Sequence, residues 1–170
     1  MFELPSDLVR DVEMYDGADS PRRVWMAALP EIVAELSRHW SLEVGRPYQP
    51  GGCASWVAPA VDDAGGRVVL KVGWRHVDAE HEAAGLRAWR GEGTVQLIDA
   101  ALFEDTSALL LERCEPGIGL ANVLPALDQD VVVAGLLRRV WIEPALGERF
   151  SRLDRAVIDV LAERPADVRL

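Results

Sequence analysis

From Ser20 onward, apolar residues return every three or four positions: Val24, Trp25, Ala28, Leu29, Ile32, Val33 and Leu36. That is the period of a helix with one buried face. Ser20 supplies a capping oxygen and Pro21 suits the first helical position. Pro30 interrupts the stripe, and an interior proline loses a backbone bond and clashes with the preceding turn, so two short helices or one kinked helix are expected. At Trp40 the period shortens to two. Trp40, Leu42 and Val44 alternate with Ser41, Glu43 and Gly45, as in a half-buried strand. A turn follows at Pro47, Tyr48, Gln49, Pro50, Gly51 and Gly52, and residues 55–60 read as a returning strand. Asp62, Asp63, Ala64, Gly65 and Gly66 make a second turn before the β-branched run 67–72. Three strands in hairpin succession predict an antiparallel meander.

Asp78 is placed to cap a helix over residues 79–90, with Glu80 and Glu82 in the turns that face the positive end of the helix dipole. Gly91 and Gly93 end it. Residues 95–100 and 108–112 read as two further strands around a polar turn at 104–107. Pro116 and Gly117 break the sheet pattern, and only helical stripes follow: Val132, Val133, Leu136, Leu137, Val140 and Trp141, then Leu153, Ala156, Val157, Val160 and Leu161. The expected architecture is α+β. A helical segment at 1–39 precedes a five-stranded unit with one inserted helix at 40–115, and 116–170 begins an all-helical part.

Composition narrows the possibilities. At 170 residues, 49% of them hydrophobic, the chain can bury one ordinary core. A formal net charge of -10 argues against a nucleic-acid partner, which calls for a basic face. The N-terminus lacks the basic start and apolar run of a signal peptide, and no apolar run has transmembrane length, so a cytoplasmic protein is expected. Cys53 and Cys114 suggest no disulfide framework and are expected to be small buried hydrophobes. One feature is sharper. Lys71 is the only lysine among 18 basic residues, which suggests a position where a compact point charge is needed and a planar fork would not fit.

Lys71 follows three apolar residues on a strand, where a charge needs solvent or a partner. The next helix offers Glu80 and Glu82. Glu82 is preferred, since its spacing to Leu86 and Trp89 puts all three near the face turned to the sheet; both acids also fit a solvated helix start. Gly51 and Gly52 would let backbone amides approach an anion, although a glycine pair in a hairpin is ordinarily just a turn. His39, His76 and His81 show no metal-ligand spacing and read as surface or capping residues.

The order of these parts resembles the small lobe of the protein-kinase-like fold. The runs Val69, Leu70, Lys71, Val72, Gly73, Trp74, then Asp78, Ala79, Glu80, His81, Glu82, Ala83, Ala84, Gly85, Leu86, Arg87, and Leu109, Leu110, Leu111, Glu112, Arg113, Cys114, Glu115, Pro116, Gly117 are similar to the aminoglycoside and hydroxyurea phosphotransferase family. Trp25, Leu29, Pro30 and the run 136–141 also fit. The resemblance implies ATP as cofactor. The turn through Gly51, Gly52, Cys53, Ala54 and Ser55 would cover the phosphates, Lys71 would reach them, and Glu82 would orient Lys71. Val57 and Val69 would lie against adenine, with the hinge at Glu112, Arg113 and Cys114 reading the base edge. Plain sheet packing for the valines and a solvated strand end for Glu112 and Arg113 are the bland readings of the same residues.

The resemblance has a limit. Members of the family carry a His-Gly-Asp-Leu-His type loop with a following Asn, then a metal-binding Asp for Mg²⁺, and neither motif occurs in this sequence. The expectation is the nucleotide-binding part of an ATP-dependent phosphotransferase, truncated before its catalytic loop and inactive alone. The hydroxyl acceptor would be an aminoglycoside or a hydroxyurea-type molecule, with choline or fructosamine as related possibilities. The alternative is a non-catalytic binding module on the same scaffold. Uncovered stripes on the last helices would favour self-association.

Overall fold

The computed structural model describes residues 2–143 except 77, 78, 80 and 104. Ser20 caps α2 (Pro21–His39) as expected, its hydroxyl accepting from the Arg23 amide at 3.1 Å. The helix runs through Pro30 without a break. Trp25, Leu29, Val33 and Leu36 are all buried on one face, and at roughly 1.5–3 kcal/mol for each large apolar side chain that burial outweighs the ~3 kcal/mol cost of an interior proline. Before it lies α1 (Ser6–Tyr15), which the sequence pattern did not signal as a separate helix. Only Leu8 and Val12 anchor it, one turn apart and both fully buried, too few for a periodic stripe. Arg22 ties the two helices, pairing with Asp11 at 2.8 Å and Asp16 at 3.0 Å.

The sheet contains β1 (Glu43–Val44), β2 (Ser55–Val61), β3 (Arg67–Trp74), β4 (Leu97–Leu102) and β5 (Thr106–Glu112), all antiparallel in the order β1-β2-β3-β5-β4. With α3 (Glu82–Trp89) inserted between β3 and β4, this is the expected α+β arrangement of a kinase-like small lobe. Several boundaries moved. The strand expected from Trp40 is reduced to two residues, because Trp40 caps α2 and Ser41 takes a left-handed φ of 52°, which ends the extended run. β5 begins earlier than expected, at Thr106. Its hydroxyl is buried but accepts from Trp25 Nε1 at 3.0 Å, so a residue that reads as turn is satisfied inside the sheet.

Alternation sets the two faces. Trp56, Ala58, Leu70, Val72 and Ala108 are buried against α1 and α2 in the main core. On the opposite face, Leu109 and Leu111 pack under Leu86 of α3. The described part of α3 starts at Glu82; the expected cap Asp78 and the competing acid Glu80 lie outside the described residues.

After a short 3-10 turn at Leu120–Asn122, α4 (Ala126–Val140) touches the lobe near its C-terminal end. Trp89 Nε1 donates to the Val140 carbonyl at 2.9 Å, and Gly93 gives α4 room, since a Cβ there would lie 3.1 Å from Arg139. None of the residues of α4 is buried. The later stripe at Leu153, Ala156, Val157, Val160 and Leu161 lies outside the described residues. Both cysteines are exposed, against the expectation of buried thiols, because Cys53 precedes β2 and Cys114 follows β5, where the chain has left the core. No helix among the described residues is long and apolar enough to cross a membrane.

Candidate functional site

The face of the sheet turned to α3 carries Lys71. In register it stands between Val57 on β2 and Leu109 on β5. Packing of Leu86 on Leu109 and Leu111 lays α3 across this face and brings its first residue, Glu82, over Lys71. Nζ meets Glu82 Oε1 at 2.5 Å, with the two side chains 26% and 33% exposed. An ion pair this accessible adds at most about 1 kcal/mol to stability, so its effect is chiefly on position. An ammonium has three N–H donors and no acceptor. One is committed to Glu82.

Beside the pair lies a cavity of about 670 Å³, whose walls include Ala54, Ser55, Lys71, Gly73, Glu82 and Ser107. Trp74, Leu86, Trp89 and Val140 add apolar surface. This combination of a mostly apolar lining with a few convergent polar groups is typical of small-molecule sites. Gly73 opposes Ser55 and Ser107 in the ladder, and a Cβ there would reach only ordinary contact with Ser55 Oγ, at 3.4 Å. His76 and His81 also line the cavity, and His81 holds the N-cap position of α3 without a side-chain cap bond. Among the described residues no cluster of three His, Cys, Asp or Glu side chains could hold a metal ion.

The remaining candidate residues fall into two groups. Ala54 and Ser55 belong to the cavity wall, and Cys53 is exposed just before them. Val57 shares the Lys71 face, and Val69 packs against the Leu86, Leu109 and Leu111 cluster; neither is on the cavity wall. Glu112, Arg113 and Cys114 lie at the far end of β5, also away from it. The Glu112 amide donates to the Gln96 carbonyl at 3.0 Å, and its carboxylate accepts from the Gln96 amide at 2.8 Å. Arg113 Nε lies 3.5 Å from Glu115. Gly51 has a left-handed φ of 79° and abuts Pro5, whose Cβ a Cβ at position 51 would overlap. A Cβ at Gly52 would meet nothing within 4 Å.

Sequence reasoning did not single out Gly73, Trp89 or Ser107 as part of this site. Strand parity would have found Gly73, two residues beyond Lys71 on the same face. Ser107 was hidden by its turn-like neighbourhood.

The profile of the aminoglycoside/hydroxyurea antibiotic resistance kinase family matches residues 39–151, a span that takes in the whole sheet, α3 and α4. Streptomycin 6-kinase of Streptomyces griseus is 37% identical over 144 residues, 85% of this chain and 45% of that protein. Streptomycin 6-kinase of Streptomyces glaucescens is 34% identical over 183 aligned positions, 100% of this chain and 56% of its own length. Hydroxyurea phosphotransferase of Kitasatospora aureofaciens is 36% identical over 142 residues, 82% of this chain and 40% of that enzyme. The chain thus spans about half the length of the curated relatives it matches.

Proposed function

The chain belongs to the aminoglycoside/hydroxyurea antibiotic resistance kinase family, and from that premise we propose that its sheet binds ATP with the phosphates at Lys71. The observation that carries this reading is the Lys71–Glu82 pair at 2.5 Å beside an open cavity. Glu82 fixes the ammonium, and its two remaining donors meet phosphate oxygens. Ala54 and Ser55, at the end of the glycine turn, close the phosphate end. Val57, beside Lys71 in register, and Val69, two residues before it on the same face, supply the apolar surface for adenine. The hinge backbone at Glu112, Arg113 and Cys114 reads the base edge; the Glu112 amide is already committed to Gln96, so the amides it offers are those of Arg113 and Cys114. Residues 40–115 then form the nucleotide-binding lobe, 1–39 the helical segment packed behind it, and 116–170 the start of a helical lobe.

The acceptor is inferred only from the relatives' names: a hydroxyl of a streptomycin-like aminoglycoside, or a hydroxyurea-type molecule. A net charge of -10 suits a cationic acceptor. Mg²⁺ would balance the phosphate charge. No His-Gly-Asp run occurs within these 170 residues, so we expect the chain by itself to bind nucleotide and transfer no phosphate. That same feature favours a second reading, a non-catalytic binding or interaction module on the kinase small-lobe scaffold. The two readings part when the missing catalytic motifs are supplied: an acceptor-dependent phosphorylation assay on the chain mixed with the remaining half of a family member should show transfer if this is the nucleotide-binding part of a kinase, and none if it is an interaction module.

Titration calorimetry with ATP on the wild-type chain and on Lys71→Ala tests the nucleotide reading. A loss of roughly tenfold or more in affinity is expected, since charge-assisted bonds are worth about 1.5–3 kcal/mol. Equal affinities would remove Lys71 from the site.

A further inference from the structure

The turn between β1 and β2 is bound on its outer side by the N-terminal segment. The Asp7 amide donates to the Pro50 carbonyl at 3.0 Å, and the Ser6 amide donates to Gln49 Oε1 at 3.0 Å. Gln49 Nε2 donates to Glu3 Oε1 at 3.1 Å and to the Leu4 carbonyl at 3.2 Å. Gly51 lies against the buried Pro5. From α2, Arg22 Nη2 donates to the Cys53 carbonyl.

Arg22 is only 17% exposed and is already paired with Asp11 and Asp16, so its charge is balanced and it is not offered to a ligand. Its remaining effect is geometric. A planar trans peptide holds its C=O and N–H on opposite sides. A Cys53 carbonyl drawn toward α2 therefore turns the Ala54 N–H the other way, and Ala54 lines the cavity beside Lys71.

We propose that Arg22 is a positioning residue for the phosphate-binding turn: by gripping the Cys53 carbonyl it aims the Ala54 amide at the nucleotide phosphates, while Gln49 and Pro5 fix the other limb. This rests on the nucleotide reading of the site. The N-terminal helices are then part of the binding apparatus, although none of their residues touches the nucleotide.

The test compares ATP and adenosine binding by the wild-type chain, Arg22→Ala and Gln49→Ala, together with ¹⁵N relaxation of the Gly51, Gly52, Cys53 and Ala54 amides without nucleotide. Gln49 is exposed, so its variant keeps the core intact should Arg22→Ala fold poorly. Arg22→Ala is expected to weaken ATP about tenfold, the scale of one charge-assisted bond, with adenosine unchanged. Gln49→Ala should move the same way by a smaller factor, and the order parameters at residues 51–54 should fall in both. Parallel losses of ATP and adenosine, or unchanged ATP affinity with unchanged order parameters, would overturn the proposal. A wild-type chain that binds neither ligand would instead defeat the nucleotide reading, and the relaxation data would still decide whether Arg22 orders the turn.

Discussion

At the residue scale, Lys71 and Glu82 illustrate what a sequence can disclose. A single lysine on an apolar strand, followed by a helix with two acids near its start, makes an ion pair available without fixing it, and the structure forms one with Glu82 at 2.5 Å. Gly51 illustrates the opposite. Its conformational freedom was legible, but the reason for it, contact with Pro5, depends on a neighbour 46 positions away whose approach no local pattern announces. Substituting Glu82→Gln preserves shape and removes charge. Because the pair is partly exposed, the melting temperature should move little, by the equivalent of about 1 kcal/mol or less, whereas ATP affinity should fall several-fold. Thermal denaturation and calorimetry on one preparation check both halves. Lys71→Arg should fail to restore affinity, since a planar guanidinium does not replace a compact ammonium held between strand and helix.

At the scale of elements, α2 was legible at its cap and along its buried stripe because capping and periodicity agree, although Pro30 pointed to an interruption that the buried face overrides; α1 was not legible, having two anchors only. The strands were legible in number and order of appearance, but their ends were set by side-chain bonds across the fold, such as Trp25 to Thr106. Leu29 is fully buried and Val24 is 65% exposed on the same helix. Leu29→Ala should cost about 2–5 kcal/mol of unfolding free energy and Val24→Ala less than about 0.5 kcal/mol, measured by urea denaturation. Trp40 Nε1 donates to Asp99 Oδ2 at 2.8 Å, joining the end of α2 to β4. That bond, reinforced by the Ala100 amide, holds the Asp99 carboxyl below its usual value. A group depressed in the folded state adds stability above its unfolded value, lost as pH falls through the folded one. The wild-type denaturation midpoint should therefore drop more steeply below about pH 4 than that of Asp99→Asn. The carboxyl is largely solvated, so the difference should be small, and identical slopes would count against it.

At the scale of the whole molecule, the lobe has a complete sheet and core, yet α4 carries Leu127, Val131 and Leu137 at 79%, 72% and 55% exposure. Apolar surface of this kind on one helix favours association. Sedimentation velocity should show concentration-dependent self-association that Leu127→Glu with Val131→Glu suppresses; a monomer at all concentrations would refute it. The fold class was legible because element order is a global property carried by local signals, whereas the cavity was not, since it depends on how α3 and α4 settle on the sheet. The central claim, phosphates at Lys71, has a direct measurement because no other lysine exists in the 170 residues. The chain is acylated with an amine-reactive ester with and without ATP, and modification of the Lys71 peptide is followed by mass spectrometry, separately from the N-terminal amine. ATP should slow labelling of Lys71 strongly while adenosine protects far less; labelling at the same rate with and without saturating ATP would contradict the account.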